Sequence, residues 1–224
     1  MDGEVGQDAA LYPGKISRTI QGYTIRSALG PMDTSLPLSL ANFLLDHPDL
    51  CSFLVRRHKL APYTIERRSP RQSAADDGNG TRGLITLTQR RDNGRVYFGE
   101  GFHESRLLPT IHASTVILMD VREEAGQECR RHITSSFDVY VRLKNPILSG
   151  FVKVLRPFVK GMVARIFAKA FLTADKVGRL MAEDPDGIAR EMDLFPGISP
   201  GDRAVLAELM SLLKRNKASC ARAR

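Results

Sequence analysis

Few side chains in this sequence combine proton or ligand chemistry with a position that a fold would enclose. Glu100 is the first, in the run Arg95 to Glu104, where Tyr97, Gly99, Gly101 and His103 share one face and Val96, Phe98, Glu100 and Phe102 the other. The apolar face points inward, so this spacing predicts a buried Glu100. A buried carboxylate takes a proton or a cationic partner. Inward-phased Arg131 is the candidate partner, a ligand-polarising role is the functional reading, and a slipped register exposing Glu100 is the third outcome. Glu100 and His103 are therefore the candidate catalytic residues if this chain is an enzyme, acting by proton transfer.

Other motifs carry less chemistry. His103, His112 and His132 fall on three successive β-type runs, but His112 and His132 lie opposite the apolar sets of theirs, on the expected solvent face. Metal ligands must converge, so no metal site is assigned. Gly78 to Gly83 spells G-x-G-x-x-G, yet Leu84-Ile85-Thr86-Leu87 follows with β character where a dinucleotide fold requires a helix N-terminus. No cofactor is implied. Nothing matches a Ser, His and Asp arrangement or His-Glu-x-x-His, and the three cysteines (Cys51, Cys129, Cys220) are too scattered for a disulfide framework.

The elements that must position these groups follow from periodicity. Residues 1–19 carry Pro13-Gly14 turn chemistry and are expected to be an N-terminal tail. Ile20 to Leu29 reads as a strand closed by Gly30-Pro31, and Pro37 to Asp46 and Asp49 to His58 read as two short helices. Then come Tyr63 to Arg68, a polar loop, and Gly83 to Arg90. Asp92-Asn93-Gly94 makes a hairpin to Arg95–Glu104, because both central residues of a type I′ turn need positive φ. Ile111, Ala113, Thr115, Ile117, Met119 and Val121 share one parity, as do Ile133, Phe137, Val139, Val141 and Leu143, the pattern of antiparallel strands. From Pro146 the period becomes 3.6. Leu148, Phe151, Leu155, Phe158, Met162 and Ile166 trace the stripe of one long helix interrupted by Pro157 and ended at Asp184-Pro185. Six strands are countable. Residues 183–224 form an extension with one short helix, Ser199 as N-cap and Pro200 at N1.

Charge is unevenly spread. Of a net charge of +8, most lies between Asn145 and Ala182, where seven Lys or Arg face Asp175 alone. Lys153, Arg156 and Lys160 flank the apolar stripe on one side, Arg165, Lys169, Lys176 and Arg179 stand on another, and Phe167 and Phe171 drift outward. Basic residues beside exposed aromatics suit peripheral contact with an anionic membrane; an ordinary snorkelling face is the alternative. No apolar run reaches the roughly 18 residues of a membrane span. The N-terminus carries acids and no apolar h-region, so cytoplasmic residence is expected. The sequence has no Trp and no basic strand face with stacking aromatics, and nucleic acid is not an expected partner.

The order strand, two short helices, antiparallel strands and long helix, with Gly78-Asn79-Gly80-Thr81-Arg82-Gly83 between strands and Asn145-Pro146 opening the long helix, resembles the START-like, Bet v 1-like helix-grip superfamily over residues 20–182. The resemblance implies an α+β fold, a curved antiparallel sheet wrapped on the helix, and a cavity between them for a lipid, sterol-like or polyketide-like molecule. Its walls are expected to come from Phe98, Phe102, Ile117, Met119, Phe137 and Val139 on the sheet and from Leu155, Phe158, Met162 and Ile166 on the helix. A cyclase or dehydratase using the same cavity, and a basic adaptor at a membrane surface, are the alternatives.

Overall fold

A computed structural model describes the backbone of residues 5–34, 36–91, 93–105, 109–125, 131–144 and 152–222. Within these, the side chains of residues 5–11, 125, 131, 132, 152–156, 158, 159, 171 and 216–222 lie outside the described set. The elements are α1 (Val5–Gln21), β1 (Ile25–Thr34), α2 (Leu38–Asp46), α3 (Pro48–Arg57), β2 (Thr64–Ser69), β3 (Gln72–Asp76), β4 (Thr81–Arg91), β5 (Gly94–His103), β6 (Ile111–Ala125), β7 (Arg131–Leu143), α4 (Val152–Glu183), α5 (Pro185–Asp193) and α6 (Pro200–Arg222). The fold is α+β. Its seven strands make a curved, unclosed antiparallel sheet in the order β1-β7-β6-β5-β4-β3-β2.

Three elements before β4 depart from the sequence expectation. The expected tail is helix α1. Tyr12, Lys15, Ile16, Thr19 and Ile20 recur at helical spacing, and Pro13, which signalled a turn, sits inside the helix on its exposed side. Strand β1 runs through Gly30-Pro31 to Thr34; on an edge strand, proline need not forfeit a ladder bond. The seventh strand is β3, Gln-Ser-Ala-Ala-Asp, within the expected polar loop. It has neither alternation nor β-branched residues and owes its extended state to pairing with β4, from Gln72↔Thr86 to Asp76↔Arg82.

The chain forms two compact units: residues 1–31, 66–121 and 135–168, and residues 32–65, 122–134 and 169–224. In the first unit both faces of the sheet are covered. On one, Ile25, Ile111, Val139 and Val141 pack with Val163 of α4, joined by Ile117, Phe137, Met162 and Phe167. On the other, Val96, Phe98 and Val116 pack with Tyr12, Ile16 and Ile20 of α1. Burying such side chains stabilises by roughly 1.5–3 kcal/mol each.

The second unit is helical at its core, burying Leu40 and Leu44 of α2, Leu50 and Leu54 of α3, Val177 and Met181 of α4, Met192 of α5 and Met210 of α6. His47 Nδ1 lies 2.9 Å from the Phe43 carbonyl oxygen and its Nε2 3.3 Å from Asp202 Oδ2. His58 Nε2 lies 2.8 Å from Glu191 Oε2, which Arg57 also reaches. The expected cap of the last helix is present: the Asp202 amide donates to Ser199 Oγ at 3.1 Å. That helix is longer than expected, and α5 precedes it.

Candidate functional site: a small-residue trough in the sheet

Cross-strand register decides which side chains share a face. Phe98 pairs with Val116, Glu100 with Ser114 and Phe102 with His112, whereas Tyr97 pairs with Ile117 and His103 with Ile111. Phe98 and Phe102 therefore face α1, away from Ile117, Met119, Phe137 and Val139 on the α4 face. This corrects the expectation of one common wall. The reason is that α1 gives β5 a second buried face, so its apolar parity does not point toward the long helix. The Tyr12 ring meets the Phe98 ring edge-on at 5.9 Å. Of the helix residues expected in the wall, Met162 packs in the α4-face cluster, Ile166 is half-buried, and the side chains of Leu155 and Phe158 lie outside the described residues. Val139 is 1% exposed and packs rather than lines.

Glu100 follows Phe98 to the α1 face. It is 38% exposed at its side chain, accepts from Lys15 at 3.0 Å and also binds Lys144. The expected burial does not occur, and two lysines hold the carboxylate; the side chain of Arg131, the partner expected from the sequence, lies outside the described residues. The Lys144 ammonium, assisted by Lys15, holds the Glu100 carboxyl below its ordinary range against a smaller opposing effect of burial. A carboxylate so held is a poor proton donor near neutrality, and it stands on the opposite face from His103. The two candidate catalytic residues therefore do not converge.

His103 lies on the α4 face with its Nδ1 3.0 Å from Thr81 Oγ1. His112 is exposed, its ring 5.9 Å from that of Phe102 on the α1 face. Opposite faces keep the two imidazoles apart; the His132 side chain lies outside the described residues. Among the described residues, no three His, Cys, Asp or Glu side chains gather to hold a metal. Gly78 and Gly80 take positive φ in the β3–β4 turn, where the Asp77 carboxylate accepts from the Asn79 and Thr81 amides. A strand follows, so this is a hairpin turn without a helix N-terminus. Burial pushes the Cys51 thiol up to about 11, leaving little nucleophilic thiolate at neutral pH.

The unanticipated feature is a trough across β3 to β6 on the α4 face. Ala75, Gly83, Gly101 and Ala113 stand in one transverse row, so four neighbouring strands present nothing beyond a methyl group. The next row is Ser73, Ile85, Gly99 and Thr115. Three strand spacings make the trough about 14 Å long. Thr81, His103 and Ile111 form one bank; Leu87, Tyr97 and Ile117 form the other. Thr81, Ile85, Leu87, Tyr97, His103 and Ile117 are all half-buried.

The glycines of the trough have different jobs. A Cβ on Gly101 would lie 2.3 Å from the Arg82 carbonyl oxygen and 2.9 Å from Gly83 Cα, and one on Gly83 would lie 2.7 Å from the Glu100 oxygen. These two allow a close backbone approach that bends the sheet. Gly99 differs, since its Cβ would meet nothing nearer than 3.7 Å. Its missing side chain leaves space rather than relieving a clash. The alternation Tyr97, Gly99, Gly101, His103 was a legible signal for this face, since glycine inside a strand marks a bend or a close approach. The α1 cover over the opposite face was the missing piece. A half-open hollow lined by Pro70, Arg71, Leu87, Thr88, Gln89 and Arg90 adjoins the Leu87 end.

On α4, Lys160 and Arg165 are exposed in the first unit and Lys169 and Lys176 in the second; the side chains of Lys153, Arg156 and Phe171 lie outside the described residues. Phe167 does not drift outward as expected: its ring packs 5.6 Å from that of Phe137. Among the described residues, no helix is long and apolar enough to cross a membrane.

No protein-family model matches the chain, and no curated protein matches it. Among solved structures the chain is similar to a conserved protein from Geobacillus kaustophilus. The two share 10% identity at a TM-score of 0.49, over 70% of this chain and 95% of that one. Neither figure transfers a function.

Proposed function

We propose that this chain binds a small, slender apolar molecule in the trough across β3 to β6, on the α4 face of the sheet. The row Ala75, Gly83, Gly101 and Ala113 carries this reading: four adjacent strands place nothing larger than a methyl group where a packed face commonly holds large side chains, and Gly99 in the next row leaves open space beside it. Affinity comes from removing apolar area on the ligand and on Ile85, Leu87, Tyr97 and Ile117 from water, at about 25 cal/mol per Å² before the cost of association. The His103 and Thr81 pair supplies a polar end to fix orientation.

Element order supports a helix-grip reading of the fold, with two helices after β1, the sheet order β1-β7-β6-β5-β4-β3-β2, and a long helix after β7. In that reading the ligand is a lipid, sterol-like or polyketide-like molecule and the chain is a carrier. The cyclase or dehydratase alternative is weakened because Glu100 and His103 occupy opposite faces.

Gly99→Leu is the decisive variant, since a Cβ at this position meets its nearest neighbour, the Leu84 carbonyl oxygen, at an ordinary 3.7 Å. Uptake of a fluorescent fatty acid by the wild type is expected to fall more than tenfold in Gly99→Leu while the urea unfolding midpoint holds. Undiminished uptake by Gly99→Leu, or no uptake by the wild type together with no lipid in a solvent extract of the purified protein, overturns the proposal.

A further inference from the structure

From the outward side of α4 we infer a second binding function, separate from the trough: the second half of this helix docks on an anionic phospholipid surface. Lys169, Leu172, Lys176 and Arg179 fall within an arc of about 80° at the helical repeat. All four are exposed, and Leu172, at 62%, is among the most exposed large apolar residues described. The buried side of this half-helix, centred about 120° round from the ridge, is anchored by Thr173, Val177 and Met181, at 3%, 1% and 0% exposure.

Charge complementarity identifies the occupant. Among the described residues, neither Lys169 nor Lys176 makes an ion pair; Arg179 binds Asp175 at 2.9 Å, one turn back. Two free ammonium groups thus flank an exposed leucine. A single exposed leucine is ordinary on a solvated face; here it stands between two lysines that make no ion pair among the described residues. A nucleic-acid face takes stacking aromatics or hydrogen-bonding forks, whereas an aliphatic side chain between lysines matches phosphate headgroups above acyl chains. Of the two aromatics that the sequence offered as apolar contacts, Phe167 is turned inward and the side chain of Phe171 lies outside the described residues; Leu172 supplies the apolar contact of this ridge.

Sedimentation with vesicles of phosphatidylcholine alone, and with about one third phosphatidylserine, tests this. Binding is expected only to the anionic vesicles, and it weakens as salt shortens the Debye length from about 10 Å at 0.1 M to about 3 Å at 1 M. Lys169→Glu with Lys176→Glu is expected to lower partitioning by at least about tenfold. Leu172→Ser is expected to lower it severalfold without altering binding to heparin, a polyanion with no acyl layer. Equal binding to neutral vesicles, wild-type binding by the double lysine variant, or wild-type vesicle binding by Leu172→Ser overturns the inference; in the last case the ridge is a general polyanion site. All three positions are exposed, so folding is preserved. Fatty-acid uptake by the same variants reads the trough separately.

Discussion

The two faces of strand β5 differ in how they are finished. On the α1 face every described position from Val96 to Phe102 meets something: Phe98 meets Tyr12, Glu100 meets Lys15 and Lys144, and Phe102 meets His112. Even the buried hydroxyls beneath α1 are paired, Thr19 with Ser114 at 3.1 Å. On the α4 face the same strand offers Gly99 and Gly101 between Tyr97 and His103. One face is closed by side chains; on the other, two successive positions carry none, with open space at Gly99 and neighbouring backbone at Gly101. In the proposed reading a strand serves as core on one side and as a binding surface on the other, and apolar content alone misidentifies which is which.

This contrast breaks first at Phe98, which is 3% exposed. Phe98→Ala is expected to destabilise by about 3–5 kcal/mol in urea unfolding, with fatty-acid uptake per folded molecule unchanged. A loss of uptake without a loss of stability would place Phe98 in the site and reverse the assignment of faces. Next comes Gly101→Val, whose Cβ meets backbone: a loss of about 1–3 kcal/mol is expected, while Gly99→Ala gains about 0.5–1 kcal/mol because glycine is a poor strand residue. Equal effects at the two positions would remove the distinction between a bending glycine and a spacing glycine.

The smallest effect belongs to Glu100. Its folded value is depressed, so the stability it adds is present above the unfolded glutamate value of about pH 4.3 and is lost as pH falls through the folded value. Partial exposure limits this to below about 1 kcal/mol. The wild type is therefore expected to lose slightly more stability than Glu100→Gln between pH 7 and pH 3. An identical pH dependence of the two urea midpoints would show that the lysine pairs do not contribute.

Particular elements explain how much of this was legible beforehand. The hairpin at Asn93-Gly94, the helices α2 and α3, the long helix and the Ser199 cap were readable because each rests on neighbours a few residues apart. Strand β3 was not, since Gln72 to Asp76 has no periodicity of its own. Helix α1 carried a helical period that Pro13-Gly14 obscured. Of the ten expected wall residues, Ile117, Met119, Phe137, Val139 and Met162 stand on the α4 side; Phe98 and Phe102 do not, because parity says that a face is buried without saying against what.

The sequence by itself determined the α+β class, most helix and strand types, the basic excess on the long helix and, among the described residues, the absence of a helix long and apolar enough to cross a membrane, since these follow from local spacing and composition. Only the tertiary structure decided that α1 closes one face of the sheet, that Glu100 pairs with two lysines, and that Ala75, Gly83, Gly101 and Ala113 line up across four strands. Register joins residues far apart in the chain, and no local periodicity encodes which of them will lie side by side.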